Sequence, residues 1–304
     1  MIFVSLASGS SGNCTFIGTD TAKILIDCGI SAKRIDESLR ALGFCAEELN
    51  AIFLTHEHTD HIKGLKRLMS AYQVPVYGSA GTLSSLARAL RDEYFNFAGQ
   101  ALMHEVRADE TLVINGLRVM PFQISHDAAQ PFAYRMEAAE ALSLFADGGA
   151  GEEGSAGRTS QTAEEIETAQ GFRTVAAAVA TDMGYFNDEI CSHLMNLDVL
   201  LLEANHDRGM LANGPYPMSL KRRIMSREGH LSNNSCGQLL AEIINPRLSH
   251  VFLGHLSKEN NTPHAALETV EEELLRCLGP RARGMNMPKI SVAPHDGMSE
   301  VVRI

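Results

Sequence analysis

Short apolar runs separated by turn residues dominate the chain, and they predict strands that alternate with helices. Apolar residues at helical spacing, such as Ile35, Leu39 and Leu42, mark the helices instead. The predicted strands are residues 1–7, 14–17, 23–27, 51–54, 74–77, 111–114, 117–124, 132–136, 175–180, 199–202, 251–253 and 289–292. The predicted helices are residues 31–42, 65–72, 82–92, 236–244 and 265–277. This order predicts a mixed α/β chain.

One stretch breaks the pattern. Residues 146–170 are rich in Gly, Ala, Glu, Ser and Thr, and they hold too few apolar residues to form a core of their own. We therefore predict a flexible insertion at about 144–170 that joins two strand-rich halves. The whole chain, 1–304, is predicted to be a single domain.

Composition narrows the class of protein. The 304 residues carry 26 Lys and Arg against 37 Asp and Glu, a net charge of −11, and 45% of them are apolar. These values are ordinary for a globular protein and exclude a wholly disordered chain. No apolar run approaches the length of a membrane span, and the first residues lack the pattern of a secretory signal. We expect a cytoplasmic protein without a membrane partner.

Cysteine usage and net charge exclude some further sites. The six cysteines form no C-x-x-C pair, so we interpret them as free thiols and not as a disulfide framework or a zinc ribbon. The acidic balance argues against broad, non-specific binding of nucleic acid. It does not exclude a nuclease whose positive charge is concentrated at a metal site.

The strongest chemical signal is the motif His56-x-His58-x-Asp60-His61, which follows the predicted strand 51–54. In an extended loop His56 and His58 point to the same side. Four donors within six residues are too many for one catalytic ion that must keep an open position. The motif therefore predicts two divalent ions, and imidazole with carboxylate ligands suits both Zn²⁺ and Mn²⁺.

Three further donors follow predicted strands directly. His126, Asp182 and His255 each come just after an apolar strand, where proteins often present functional side chains. A single histidine in such a place is more often a hydrogen-bonded structural residue. In this order, the three residues complete a site for two ions.

These motifs together resemble the metallo-β-lactamase-fold hydrolases. The segments 5–13 and 254–261 resemble more narrowly the YycJ/VicX (WalJ)-like family, and the resemblance covers most of the chain except about 144–170. It implies an αββα four-layer sandwich, in which two mixed β-sheets are flanked by helices. It also implies that His56, His58 and His126 hold one metal, that Asp60, His61 and His255 hold the other, and that Asp182 bridges them.

Two short motifs resemble the ribonuclease Z-like phosphodiesterases. Glu203-Ala204 and Gly229-His230 match steps in which a glutamate orients a histidine beside the scissile phosphate. The resemblance implies that Asp60, Glu203 and His230 are catalytic, with His230 contacting substrate and acting as proton donor. The alternative is a structural ion pair at Glu203 and a helix-start residue at His230.

Basic residues precede His230 in the densest cluster of this acidic chain. Arg223 and Arg227 are spaced to share a helix face, and they are candidates for binding a phosphate backbone. A solvated helix face explains them equally well. The chain has no Trp and 6% aromatic residues, so an extensive base-stacking platform is not evident. Tyr185 and Phe186 could contact a base or simply pack.

The resemblance implies a DNA exonuclease that degrades from 5′ ends, with a metal-bridging hydroxide as nucleophile. DNA is then the expected partner. One alternative is a hydrolase of small esters, thioesters, lactones or cyclic nucleotides, which the acidic charge favours slightly. Another is a metal-stabilised regulatory protein without turnover, and the full ligand set argues against it.

Overall fold

The computed structural model of the chain describes residues 1–89, 100–141 and 172–304. Short 3₁₀ turns lie at Ala46–Glu48, Gln100–Leu102 and Gly279–Ala282. The β-strands are β1 Ile2–Ala7, β2 Cys14–Gly18, β3 Lys23–Ile26, β4 Ala51–Phe53, β5 Val76–Gly78, β6 Met103–Glu105, β7 Leu112–Ile114, β8 Leu117–Gln123, β9 Phe132–Ala141, β10 Phe172–Ala180, β11 Val199–Glu203, β12 His250–Gly254, β13 Lys289–Val292 and β14 Val302–Arg303. The α-helices are α1 Ala32–Ala41, α2 Thr59–Ile62, α3 Leu65–Tyr72, α4 Ala80–Ala89, α5 Asp188–His193, α6 Arg208–Asn213, α7 Met218–Ile224, α8 Asn233–Ile243 and α9 Pro263–Leu278.

The strands form two seven-stranded mixed sheets. Their orders are β14-β1-β2-β3-β4-β5-β6 and β13-β12-β11-β10-β9-β8-β7. Among the described residues, no helix combines the length and apolar character that a membrane span requires.

Alternate residues along the strands build three apolar layers. Phe3 of β1 stacks on Phe252 of β12, with ring centroids 6.0 Å apart, in the layer between the sheets. On the opposite side of β1, Val4 and Leu6 pack with helices α1 and α3. Leu202 of β11 faces outward in the same way, against α8 and α9. Because each sheet buries one face on the other sheet and one on helices, the architecture is the predicted αββα sandwich.

Strand direction brings the ends of several strands to one edge of the sandwich. In the first sheet β3, β4, β5 and β6 are parallel neighbours. In the second sheet β10, β11 and β12 are parallel, and β8 points the same way because β9 is antiparallel to both β8 and β10. Tyr134 ties the sheets together at this edge, since its hydroxyl donates to the Leu54 carbonyl at 2.7 Å. Residues just after these strands therefore meet there.

The predicted order of strands is largely confirmed, but the predicted junction between halves is wrong. Residues 142–171 lie in the sequence between β9 and β10, which are paired neighbours within one sheet. The chain instead passes from the first sheet to the second between β6 and β7. The insertion at about 144–170 falls outside the described residues, as do residues 90–92 of the predicted helix 82–92. The single domain 1–304 stays a prediction.

Some short elements escaped the sequence pattern. Strands β6 and β14 and helices α5, α6 and α7 were not predicted. Each spans at most seven residues, so too few positions are available to show a period.

Candidate metal centre

Three histidines gather at the edge where β4 and β8 end. Ligand atoms of His56, His58 and His126 lie within 4.8 Å of one another. His56 Nε2 and His58 Nδ1 are 3.0 Å apart. His56 and His126 are buried and His58 is half-buried, so one side of the cluster remains accessible. The cluster has the composition and closeness of a metal site.

A second group stands beside the first. Ligand atoms of Asp60, His61 and His255 also lie within 4.8 Å of one another. Asp182 lies between the groups, because its Oδ2 is 3.4 Å from His61 Nε2 and its Oδ1 is 3.9 Å from His126 Nε2. The structure thus brings together all seven residues that the sequence nominated as ligands.

Hydrogen bonds with Asp27 and Thr55 determine which ring nitrogen of His61 and of His56 carries the proton. Asp27 Oδ2 lies 2.7 Å from His61 Nδ1, so that nitrogen donates to the carboxylate. The Thr55 hydroxyl donates to the same carboxylate oxygen at 2.9 Å. It must therefore accept from His56 Nδ1, 3.0 Å away. Because both Nδ1 atoms carry protons, both Nε2 atoms are left as metal ligands.

The other histidines are oriented in the same manner. His126 Nδ1 lies 3.2 Å from the Gly229 carbonyl oxygen and donates to it. Glu203 Oε1 lies 3.0 Å from His255 Nδ1 and 2.8 Å from His230 Nδ1. His58 differs, since its Nδ1 is the nitrogen that faces the cluster. Such partners hold the rings of metal ligands in position.

Unpartnered atoms mark where metal ions fit. Asp182 Oδ2 and His255 Nε2 are fully buried and make no hydrogen bond with any described residue. Both atoms belong to the residues around the second group. A buried polar atom without a partner is costly, and a divalent cation would satisfy both. The residues present therefore fit metal ions.

Charge within the centre is strongly coupled. Burial opposes protonation of His61, but the carboxylates of Asp27, Asp182 and Asp60 outweigh it and raise its pKa to about 9. Burial likewise opposes protonation of His255, yet neighbouring carboxylates raise its pKa. The metal-free centre therefore holds protons where cations would bind.

The pKa values of His56 and His126 shift in the opposite direction. Burial lowers the pKa of His56 well below its ordinary value, and the adjacent imidazoles of His61, His126 and His58 lower it further. Burial also lowers the pKa of His126, although Asp182 opposes the shift. These rings are neutral at pH 7, which is the form that binds metal.

Strand ends at the centre turn through left-handed backbone. Asp27, Asp182 and His255 have φ angles of +60°, +61° and +54°. Such angles are uncommon outside glycine and cluster at functional sites. Gly29 has a different constraint, since a Cβ there would lie 1.6 Å from the Asp60 carbonyl oxygen. The loop that carries Asp60 therefore leaves no room for a side chain at position 29.

A cavity of about 200 Å³ opens beside His230, one of its lining residues. Ser10, Asn205, Tyr216 and Ser257 add hydroxyl and amide groups to the wall. His230 is 21% exposed, whereas its partner Glu203 is fully buried. The Glu203–His230 pair expected from the sequence is therefore formed, and its histidine faces the cavity.

The two arginines do not share a helix face, so that expectation is wrong. Helix α7 ends at Ile224, three residues before Arg227. Arg223 lines the cavity, and its guanidinium is paired with Asp127, whose Oδ1 is 3.3 Å from His126 Nε2. Arg227 lies over the ring of Tyr185, with Cζ 3.8 Å from the ring centroid.

Comparison with known proteins agrees with this fold and centre. The family described as "Beta-lactamase superfamily domain" matches residues 22–251, well over half of the chain. The chain belongs to this family. Within the family it is 30% identical over 276 residues to the exodeoxyribonuclease YycJ of Bacillus anthracis, covering 90% of this chain and 88% of the relative. It is 31% identical over 269 residues to the exodeoxyribonuclease WalJ of Streptococcus pneumoniae, covering 88% and 86%.

A solved structure shows the same family fold. The metallo-β-lactamase fold protein YhfI from Bacillus subtilis superposes with a TM-score of 0.61 at 15% identity, covering 99% of this chain and all of that one. At this identity, the structural likeness supports the fold and no further property. Together with the two relatives, it identifies the chain as a hydrolase of the metallo-β-lactamase fold.

Several residues that support the centre were missed from the sequence. Asp27 follows β3 directly, so the strand-end rule that found Asp182 would also have found it. Ser8 accepts the His255 backbone N–H at 2.9 Å, and the Asn205 amide donates to the His255 carbonyl at 2.9 Å. Asn13 places its amide nitrogen 3.1 Å from His61 Nε2. These polar residues carry no periodic signal.

Proposed function

We propose that the chain is a DNA exonuclease that hydrolyses phosphodiester bonds from the 5′ end with the help of two divalent ions. The observation that carries this proposal is the buried Glu203 that holds His230 at the wall of a polar cavity, beside the donor clusters. The relatives named exodeoxyribonucleases support DNA as the substrate. The proposal places the protein in the cytoplasm, with DNA as its partner.

The proposal assigns one ion to His56, His58 and His126, and the other to Asp60, His61 and His255. Asp182 would hold both ions, since its two oxygens face the two groups. Zn²⁺ and Mn²⁺ both suit this set of nitrogen and oxygen donors. When bound, the pair would supply a bridging hydroxide as nucleophile at neutral pH and positive charge that stabilises the phosphate.

His230 would protonate the leaving group. As the nucleophile bonds to phosphorus and the bond from phosphorus to the 3′ oxygen breaks, His230 Nε2 gives that oxygen its proton. Its Nδ1 stays hydrogen-bonded to Glu203 at 2.8 Å, so the ring keeps its orientation. The same Nδ1 lies 3.8 Å from Asp182 Oδ1, so Glu203 is the nearer of the two buried carboxylates.

Glu203 suits this role because it remains ionised. Burial alone would raise its pKa, but the neighbouring His230 and His255 lower it below the ordinary value. The backbone N–H groups of Met183 and Leu231 also donate to its Oε2, at 2.9 and 3.2 Å. An ionised carboxylate behind His230 keeps accepting the hydrogen bond from its Nδ1 and so holds the ring in place.

Arg223 is the cation placed to meet the substrate phosphate, because it lines the same cavity as His230. Its guanidinium is paired with Asp127 at the wall of that cavity. Lys221 of the same basic cluster has a structural role instead, since its Nζ donates to the Ala212 carbonyl at 2.7 Å.

The test is cleavage of 5′-labelled and 3′-labelled DNA, single- and double-stranded, by the protein loaded with Zn²⁺ or Mn²⁺. The His58→Ala variant is the control, because His58 is only half-buried and its loss should remove a ligand without unfolding the core. We expect mononucleotides to be released from the 5′ end by the wild type alone. Hydrolysis of bis-p-nitrophenyl phosphate without DNA cleavage would favour a small-molecule substrate and refute the proposal.

A further inference from the structure

Tyr185 and Arg227 form a stacked pair beside the metal centre. The guanidinium carbon of Arg227 lies 3.8 Å from the centroid of the Tyr185 ring, which is contact distance for a cation–π pair. Arg227 is exposed and Tyr185 is half-buried. An aromatic ring capped by a guanidinium is a surface on which planar groups stack readily.

The pair is fastened to the centre by its neighbours in sequence. Gly184 donates its backbone N–H to the Ser125 carbonyl at 3.0 Å, which ties it to the residue before His126. A Cβ on Gly184 would lie 2.3 Å from the Arg227 carbonyl oxygen, so the two backbones touch. The turn that places Asp182 therefore also places Tyr185. The stack is held in a fixed position relative to the donor clusters.

Tyr185 also lines a groove of about 440 Å³, and Arg227 is not among the residues of its wall. His126, which lies in the first donor cluster, forms part of its wall. Its other walls carry Ser125, Ala129, Gln130 and Asn187. The wall of the groove therefore includes both a histidine of the metal centre and Tyr185.

The chemistry of the groove is unsuited to phosphate. No Lys or Arg is among its lining residues in the described part of the chain, and Glu189 adds a negative charge. Amide, hydroxyl and small apolar groups form the rest of the wall. The cavity lined by Arg223 has hydroxyl groups and a cation instead, and its one carboxylate, Asp127, is paired with that cation. A flat, weakly polar ligand fits the groove, and an anion fits the cavity.

We propose that this groove binds a nucleobase of the strand being cut, stacked on the Tyr185–Arg227 pair. The inference rests on the proposed function, because it supplies the base site next to the phosphate site of a nuclease. It assigns Arg227 to stacking and not to the phosphate backbone. It also predicts that the base at the degraded end must leave the double helix to be cut, since a paired base could not enter the groove.

The experiment compares two DNA substrates with identical phosphates, one of which has an abasic nucleotide at the degraded end. We expect the wild type to prefer the normal end by about 5- to 150-fold in kcat/KM, the range set by stacking of one base. Tyr185→Ala should lose this preference, and Tyr185→Phe should keep it. Arg227→Ala should weaken the preference, while Arg222→Ala, which removes a neighbouring exposed arginine that does not stack on Tyr185, should not.

A binding measurement separates this inference from the proposed function. Saturation-transfer NMR on the metal-free protein compares deoxyadenosine monophosphate with deoxyribose 5-phosphate. Base-proton saturation that disappears in Tyr185→Ala would support the groove even if the enzyme cut no DNA, and only the proposed function would then fail. The inference is overturned if Tyr185→Ala slows normal and abasic substrates equally, or if base protons receive no saturation in the folded wild type.

Discussion

Replacing Asp27 by asparagine should weaken metal binding although Asp27 is not in either ligand cluster. Its carboxylate accepts from the Thr55 N–H and from the Thr55 hydroxyl, each at 2.9 Å, and from His61 Nδ1 at 2.7 Å. An asparagine oxygen can keep the bond to the Thr55 N–H. Its NH₂ group then faces His61 Nδ1, and two donors cannot pair.

The proton on His61 must therefore move. For Nδ1 to accept from the new amide, the ring has to carry its proton on Nε2, the nitrogen that faces Asp60 and Asp182. That nitrogen is then blocked for coordination. Loss of such an orienting partner weakens metal affinity by about 10- to 100-fold, or about 1.4–2.7 kcal/mol.

The assay is competition for Zn²⁺ against a chromophoric chelator, with far-UV circular dichroism to show that the variant is folded. Asp20→Asn is the matched control, because it removes the same charge from an exposed turn after β2. We expect one weakened site of two in Asp27→Asn and none in Asp20→Asn. Two sites of wild-type affinity in folded Asp27→Asn protein would refute the argument from the proton position.

Three further outcomes follow from the centre. His230→Gln should lower the rate of DNA cleavage by about 100-fold or more, as loss of a general acid does, but it should change hydrolysis of bis-p-nitrophenyl phosphate much less, because nitrophenolate leaves without a proton. The metal content by atomic emission should be unchanged, and loss of metal would make His230 a ligand instead. Metal uptake near pH 7 should release protons, because the His61 pKa of about 9 keeps that ring protonated without metal. Calorimetry in buffers of different ionisation enthalpy should detect the released protons, and the affinity for metal should rise with pH. Binding that does not change with pH would contradict this. Gly29→Ala should lower the melting temperature strongly, because the new Cβ would collide with the Asp60 carbonyl oxygen. Gly297→Ala should not, because the nearest atom to its new Cβ is 3.9 Å away. Equal melting temperatures for the two variants would count against a tight loop at Gly29.

The sequence located the residues that gather at the centre because their chemistry is local. Four donors lie within six residues, and such a dense cluster is typical of a metal site: His56, His58, Asp60 and His61. The remaining ligands follow apolar strands, so a rule about strand ends locates them without knowledge of the fold. The centre was therefore visible as chemistry before its geometry was known.

The surroundings were not predictable in the same way. Whether Arg223 and Arg227 share a surface depends on where α7 stops, and short helices leave little periodic signal. The Asp27–Thr55–His61 network joins residues from separate strands, and its members are common residue types. That the strands before and after residues 142–171 belong to one sheet depends on the pairing of β9 with β10, a long-range contact that hydrophobic pattern does not specify.

The two donor groups draw on both sheets of the sandwich. His61 follows β4 of the first sheet, whereas His255 follows β12 of the second. Ions held between them would cross-link segments that are far apart in the chain. The six cysteines are all free, so they form no disulfide that could do the same. Unfolding would then require release of metal, which slows it and shifts the equilibrium toward the native state. In a cell starved of metal, such a protein would lose its resistance to proteases along with its activity, so its abundance would follow the metal supply.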